Sequence, residues 1–221
     1  MNMSLRDALA ALYSAYDATQ LAERHAAAAK LISEEQRRRV RHAGDHIPPF
    51  DIHDPDQGHI SSIDVMKKGP LIANFYRGLW CSYCQRDLLG VEKIMPDIQK
   101  VGATVIAITH GLTGDVRAAF NRTVKTSFPI ISDEDGLIAE QFGLRWSASD
   151  ADLIDAEMGI DLVSFRGTRP WILPMQARYL IQQDHVVAFA NIAFDYNERT
   201  EPPAVLSPLA GLVASQIGQS E

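Results

Sequence analysis

Residues 71–84 read LIANFYRGLWCSYC and join an apolar run directly to a pair of cysteines. The first six residues, Leu71 to Tyr76, form a compact apolar run that is typical of a fully buried strand. Beyond the second cysteine, apolar side chains recur at helical spacing, as at Leu88, Val91 and Met95. Both cysteines are therefore predicted to lie where a buried strand gives way to a helix.

The two cysteines, Cys81 and Cys84, have the Cys-x-x-Cys spacing of redox-active pairs and are the only cysteines in the chain. Only a thiolate attacks, and a free cysteine with a pKa of about 8.5 is mostly protonated at neutral pH. Unsatisfied amide groups at a helix N-terminus favour the anion. Because both sulfurs lie on one side of the first helical turn, one can attack a substrate and the other can resolve the mixed disulfide.

Strands and helices alternate from residue 70 to the end of the chain. The pattern predicts strands at 71–76, 103–109, 129–131, 179–182 and 186–192, and helices at 81–99, 114–124, 136–143 and after residue 201. The last two strands are joined by a tight turn at residues 183–185. This order predicts an α/β fold with a central mixed sheet flanked by helices, and an insertion at about 147–172.

Residues 1–44 are predicted to form an N-terminal helical extension, and residues 45–221 to form the redox domain. Apolar side chains recur at helical intervals from residue 4 to about 42, and we expect this helix to break near residues 17–20. Residues 45–62 are rich in Pro, Asp, Gly and His, and they link the extension to the main fold. The short group Phe50–Ile52 alternates as an edge strand would.

Composition limits the classes of partner. A chain of 221 residues with 46% hydrophobic and 22% charged residues can bury a sizeable core, and its net charge of −7 argues against nucleic-acid binding. No stretch approaches the roughly 18–20 apolar residues that span a membrane, and the N-terminus does not resemble a signal peptide. We therefore expect a cytoplasmic protein with no nucleic-acid or membrane partner. The basic run at residues 37–42 is interpreted as the cationic last turn of a helix.

The wider context of the motif resembles the peroxiredoxin-like branch of the alkyl hydroperoxide reductase and thiol-specific antioxidant family, in the thioredoxin superfamily. The matching segments are Phe75–Cys84, Phe128–Asp133, Trp171–Pro174 and Asp195–Pro202. The resemblance implies a thioredoxin-like (peroxiredoxin-like) fold. It also implies a thiol-dependent oxidoreductase with an antioxidant role, which uses its cysteines without a cofactor or metal ion.

The sequence departs from the peroxiredoxin pattern around the second cysteine. The pattern Pro-x-x-x-Thr-x-x-Cys places Arg77 at the proline, Cys81 at the threonine and Cys84 at the peroxidatic cysteine. The family arginine that polarises the peroxide corresponds to Gln176. In an extended segment, residues two positions apart point to the same face. Arg178, two residues after Gln176, is therefore a candidate for supplying the missing charge.

Three functions remain open at this point. In a thiol-disulfide oxidoreductase, Cys81 attacks a disulfide and Cys84 resolves the intermediate. In a thiol peroxidase, Cys84 attacks hydrogen peroxide or an alkyl hydroperoxide, although the missing threonine and arginine argue against this mechanism. The third alternative is a non-catalytic thioredoxin-like interaction module; a zinc site in it is disfavoured, because tetrahedral zinc needs four ligands and the pair supplies two.

The partners implied by the two enzymatic functions are a disulfide or peroxide substrate and a thiol electron donor that the sequence does not identify. Trp80, next to the first cysteine, is a candidate for shaping substrate access. Whether the chain forms a homodimer is left open.

Overall fold

The computed structural model describes residues 4–147, 172–195 and 199–218, apart from residues 15, 31, 55, 79, 113, 115, 116, 119–121 and 123. The helix predicted at 114–124 falls largely on these gaps. Residues 148–171 of the predicted insertion also lie outside the described residues. Among the helices that are described, none is both long and apolar enough to cross a membrane.

The elements follow the predicted alternation of helices and strands. The helices are α1 (Leu5–Tyr13), α2 (Ala18–Lys30), α3 (Glu34–Arg39), α4 (Ser62–Met66), α5 (Ser82–Lys100), α6 (Leu137–Gln141) and α7 (Leu206–Gly218), the last preceded by a 3₁₀ turn at Pro202–Val205. The strands are β1 (Asp51–Asp54), β2 (Gly58–Ser61), β3 (Leu71–Phe75), β4 (Thr104–Thr109), β5 (Ile130–Ser132), β6 (Arg145–Ser147), β7 (Ile172–Pro174), β8 (Ala177–Ile181) and β9 (Val187–Ile192).

The central sheet has the strand order β5-β4-β3-β8-β9. Strands β3, β4 and β5 are parallel, whereas β8 pairs antiparallel with both β3 and β9. Every residue of β3 and of β8 is buried, as expected for strands that are covered on both faces. The mixed sheet predicted from the sequence is therefore confirmed, and its middle strand, β3, is the one that leads to the cysteines.

The N-terminal extension consists of three helices with separate caps. Asp17 and Gln20 exchange hydrogen bonds between each side chain and the other's backbone amide at 3.0 and 2.8 Å, a reciprocal capping arrangement that starts α2. The predicted break is therefore present just before α2. A second break, which was not predicted, precedes α3, where the Ser33 side chain accepts a hydrogen bond from the amide of Gln36 at 3.2 Å.

Leu5 and Leu9 of α1 are buried in the same hydrophobic cluster as the central sheet, and α1 packs against α5. The extension therefore contributes to the core that supports the cysteine-bearing helix. The division of the chain at residue 44 stays a prediction.

Two small ladders were not predicted in full. The edge strand expected at Phe50–Ile52 is β1, and it pairs with β2 in a separate antiparallel hairpin instead of extending the central sheet. Strands β6 and β7 also pair antiparallel, with Ser147 opposite Ile172. The chain therefore enters and leaves residues 148–171 through two paired strands. Three-residue strands of this kind are too short for periodicity to reveal.

A buried ion pair joins the β1–β2 hairpin to the central sheet. Asp54 is 0% exposed and accepts hydrogen bonds from Arg117 Nη2 at 2.6 Å and from the Ser132 amide at 3.0 Å. Burial alone would raise the pKa of Asp54, but hydrogen bonds from the amides of Ser132, Asp56 and Gln57, together with Arg117, hold it below its ordinary value. The carboxylate is therefore charged at neutral pH and stabilises this attachment.

We predict that Asp54→Asn lowers the free energy of unfolding by about 2 kcal/mol at neutral pH, because it replaces a charged acceptor of the buried Arg117 with a neutral one and leaves that guanidinium paired with Asp56 alone. The effect should fade as pH falls from about 4, because the stabilisation from a carboxyl group with a lowered pKa is lost as that group is protonated in the folded state. Urea unfolding at several pH values measures it. Asp51→Asn, on the same strand but with an exposed carboxylate, is the matched control; an equal loss in both variants would contradict the prediction.

Candidate active site

Both cysteines lie at the N-terminal end of α5, as the sequence predicts. Cys81 is the N-cap residue, with extended backbone angles (φ −81°, ψ 106°), and its carbonyl accepts the hydrogen bond of the Gln85 amide at 3.0 Å. Cys84 lies in the first turn. Both are free thiols, and both side chains are fully buried. The sulfurs are therefore held next to the amide groups that begin the helix, away from solvent.

The loop between β3 and α5 folds tightly around Gly78. Its carbonyl accepts the Cys81 amide at 3.2 Å, and its φ of +155° is one that favours glycine. A Cβ atom at this position would lie 2.3 Å from Trp80 Nε1, so only glycine leaves room for the indole. Trp80 in turn packs on the Arg77 guanidinium, whose central carbon lies 5.0 Å from the ring centroid. The loop thus holds Arg77 and Trp80, both predicted site residues, beside the cysteines.

Arg199 contacts the sulfur atoms directly. Its Nη2 atom lies 3.3 Å from Cys84 Sγ and 4.0 Å from Cys81 Sγ. Burial disfavours a charged guanidinium, but the two cysteines and Asp87 hold the pKa of Arg199 above its ordinary value. A permanent positive charge therefore lies against the dithiol. Arg199 is separated from Cys84 by 115 residues, so helical or strand spacing could not point to it.

The two thiols differ in acidity, although both are buried. Burial favours the neutral form of each, but Cys81 receives a hydrogen bond from Cys84 and is near the charges of Arg77 and Arg199, so its pKa is lowered. Burial and the hydrogen bond that Cys84 donates to Cys81 both raise the pKa of Cys84, and the two arginines offset only part of that rise. These opposite pKa shifts favour the negative charge on Cys81 and the proton on Cys84.

Asp87 lies about one helical turn after Cys84 on α5. It binds two predicted site residues, Gln176, between β7 and β8, and Arg178, on β8. Arg178 Nη2 donates to Asp87 Oδ1 at 2.6 Å, and Gln176 Nε2 donates to Asp87 Oδ2 at 3.2 Å. All three side chains are buried. The charge of Arg178 is paired with Asp87, three residues after Cys84, whereas the guanidinium of Arg199 contacts the sulfurs. A role for Arg178 at the sulfurs stays a prediction.

Two of the predicted side chains, Arg77 and Trp80, lie beside the cysteines, and two side chains at the site, Asp87 and Arg199, were not predicted. The structure brings together Arg77, Trp80, Cys81 and Cys84. Gln176 and Arg178 are instead partners of Asp87. Asp87 was detectable in principle, because it is a carboxylate on the apolar face of α5. Arg199 lies in the segment Asp195–Pro202, which carried part of the family resemblance, but nothing singled out its side chain.

No group of three or more His, Cys, Asp or Glu side chains within the described residues is arranged to hold a metal ion. The positive charge at the sulfurs comes from protein guanidinium groups. The arrangement can stabilise a thiolate on Cys81, keep a proton available on Cys84, and hold a cation against both atoms.

Comparison with known proteins identifies relatives with thiol chemistry. The chain is 26% identical over 101 residues to "Thiol-disulfide oxidoreductase ResA" of Bacillus thuringiensis subsp. konkukian, covering 46% of this chain and 57% of that protein. It is 25% identical over 89 residues to "Putative peroxiredoxin bcp" of Coxiella burnetii, covering 40% and 58%. The chain thus spans little more than half the length of these curated relatives.

Solved structures show the same fold. The crystal structure of peroxidoxin BcpB from Mycobacterium tuberculosis superposes with a TM-score of 0.58 at 18% identity, covering 77% of this chain and 97% of that one. The sequence model of the AhpC/TSA family matches residues 43–190, well over half of the chain and including the cysteine motif and all five strands of the central sheet except the end of β9. The chain belongs to the AhpC/TSA family and has the thioredoxin-like fold of the peroxiredoxins.

Proposed function

We propose that the protein is a thiol-dependent oxidoreductase in which Cys81 attacks a substrate disulfide and Cys84 resolves the mixed disulfide. The observation that carries the proposal is the asymmetry of the pair. Cys81 is the N-cap of α5, accepts a hydrogen bond from Cys84 and has the lowered pKa of the two. The thiolate is the attacking species in disulfide exchange, so this arrangement favours Cys81 as the nucleophile.

In the first step the Cys81 thiolate attacks one sulfur of the substrate disulfide. A Cys81–substrate disulfide forms, the substrate S–S bond breaks, and the second substrate sulfur leaves as a thiolate. Because both cysteine side chains are fully buried, the attack requires side chains that cover Cys81 to move. Trp80, which is 9% exposed, is the predicted residue at this access point.

The second step follows from the change of charge in the first. Once Cys81 is part of a neutral mixed disulfide, it no longer accepts the Cys84 proton or repels a Cys84 thiolate, which are two of the causes that raise the Cys84 pKa. Arg199, 3.3 Å from Cys84 Sγ, still favours the anion. Cys84 then gives its proton to the substrate thiolate released in the first step and attacks Cys81, which breaks the Cys81–substrate bond and releases the other substrate sulfur as a thiolate. The substrate disulfide has gained two electrons, and the pair is left as a Cys81–Cys84 disulfide.

A thiol peroxidase is the second candidate, and Arg199 is the observation that favours it. The sequence alone disfavours peroxide reduction, because Gln176 occupies the position of the family arginine. The Arg199 guanidinium, which comes from a different segment of the chain, places a positive charge next to Cys84 Sγ. A charge at this position polarises a peroxide bound at the sulfur. The threonine position of the family pattern is still occupied by Cys81, so disulfide exchange remains the first proposal.

The proposal includes a cytoplasmic setting and an external thiol donor. Each turnover leaves the pair oxidised, so an external thiol donor must supply two electrons to return it to the free-thiol form that the structure contains. Reducing compartments maintain such donors.

We predict that Cys81→Ser abolishes reduction of insulin disulfides, whereas Cys84→Ser accumulates a mixed disulfide through Cys81. The reason is that the attacking thiolate is lost in the first variant and the resolving thiol in the second. Non-reducing gels and intact mass spectrometry after exposure to a disulfide substrate measure the trapped species, and the Cys81→Ser/Cys84→Ser double variant gives the background. If Cys81→Ser instead reacts with hydrogen peroxide as fast as known peroxidases do, in stopped-flow measurements, the peroxidase candidate replaces the first proposal.

We predict that Arg199→Met raises the pKa of Cys81 by about one unit, equivalent to a tenfold loss of thiolate at pH values below that pKa. The rate of disulfide exchange should then rise with pH over a higher range than in the wild type, since the thiolate forms later. Arg38→Met, which removes the same charge from an exposed position on α3, should leave the profile unchanged. Superimposable pH profiles for wild type and Arg199→Met would rule out this role of the arginine.

A further inference from the structure

Residues 199–201, which include Arg199, belong to no helix or strand, so neighbouring elements hold them in place. Thr200 Oγ1 accepts a hydrogen bond from Asn191 Nδ2 on β9 at 2.7 Å. The buried ring of Pro202 lies against Gly90 on α5, where a Cβ atom would come within 2.7 Å of Pro202 Cγ. Between these two attachments lies Glu201, two residues from the arginine.

Glu201 binds the N-terminus of α1 with both carboxylate oxygens. Oε2 accepts a hydrogen bond from the Leu5 amide at 3.0 Å, and Oε1 accepts one from the Arg6 amide at 2.7 Å. These amides have no partner within the helix, and the positive end of the helix dipole favours a carboxylate here. Hydrogen bonds to a charged acceptor are roughly twice as strong as neutral ones. The first turn of α1 and the Arg199 segment are therefore tied together.

The opposite end of α1 reaches the cysteine motif itself. The Tyr13 ring lies 5.7 Å from the ring of Tyr83, the residue before Cys84. The Arg199 guanidinium carbon lies 6.0 Å from the same Tyr83 ring. Helix α1, which also buries Leu5 and Leu9 in the core, thus contacts the site through Tyr83 at one end and through the Arg199 segment at the other.

We infer that Glu201 is a positioning residue for the dithiol: by binding the first turn of α1 it fixes the segment that holds the Arg199 guanidinium against the two sulfurs. The inference rests on the proposed function, in which that guanidinium stabilises the attacking thiolate. It gives the N-terminal helix a definite part in the chemistry. A displacement of α1 would therefore change the position of the Arg199 guanidinium relative to the sulfurs, because Glu201 links the two.

The test measures the Cys81 thiolate by its ultraviolet absorbance as a function of pH. Glu201→Ala should raise the pKa of Cys81 by about one unit, and Glu201→Gln, which keeps one acceptor oxygen but loses the charge, by about half of that. In the Arg199→Met background, Glu201→Ala should add no further shift, because its effect passes through the arginine. Equal shifts with and without Arg199, or no shift in the single variants, would overturn the inference.

Glu92→Ala is the matched control for a loss of carboxylate hydrogen bonds without the link to Arg199. Glu92 Oε2 accepts from the Ser127 amide at 2.8 Å and from its hydroxyl at 3.0 Å, so its removal also breaks two contacts between distant segments. It should leave the Cys81 titration unchanged even if the unfolding temperature falls. If Glu201→Ala affects only the unfolding temperature, as Glu92→Ala does, its role is merely structural.

The absorbance titration requires no substrate, so it separates the inference from the proposed function. A raised Cys81 pKa in Glu201→Ala supports the positioning role whether the enzyme reduces disulfides or peroxides. If the wild type shows no disulfide exchange while the titration gives the expected shifts, only the proposed function is contradicted.

Discussion

The contact between Arg199 and the two cysteine sulfurs is the interaction on which the site depends. A thiolate buried without solvent is strongly disfavoured unless an opposite charge and hydrogen bonds replace water. Here Arg199 Nη2 lies 3.3 Å from Cys84 Sγ, and Arg77 adds a second positive charge. The cost of burying the cation and that of burying the anion are offset together. This explains how two fully buried thiols can include one with a lowered pKa.

The fold supplies the two halves of this contact from distant parts of the chain. Strand β3 is buried on both faces and delivers the cysteines to the start of α5, where amide groups and Cys84 stabilise the charge on Cys81. The arginine arrives after β9, on an irregular segment whose position depends on contacts with β9, α5 and α1. The N-terminal extension therefore belongs to the machinery of the site as well as to the core, if Glu201 acts as we infer.

Local patterns were sufficient to predict the sheet and the location of the cysteines. The apolar run at 71–76 and the helical spacing after Cys84 carry both conclusions, because they reflect burial on the scale of a few residues. Short strands such as β6 and β7 are stabilised by pairing with each other and have too few residues to show a period. The partners of Arg178 and Arg199 could not be predicted, since they are fixed by tertiary packing: Arg178 faces Asp87 across the sheet and helix, and Arg199 meets Cys84 from 115 residues away.

The opposite pKa shifts of the two cysteines favour Cys81 as the thiolate and Cys84 as its protonated partner. The most direct measurement is an NMR titration of the protein carrying ¹³C-labelled cysteine, in which the Cβ shifts of the two residues are followed separately against pH. The account predicts that Cys81 titrates first, well below the value of about 8.5 for a free cysteine, and that Cys84 titrates far above it. Titration of both residues near the free value, or of Cys84 before Cys81, would contradict it.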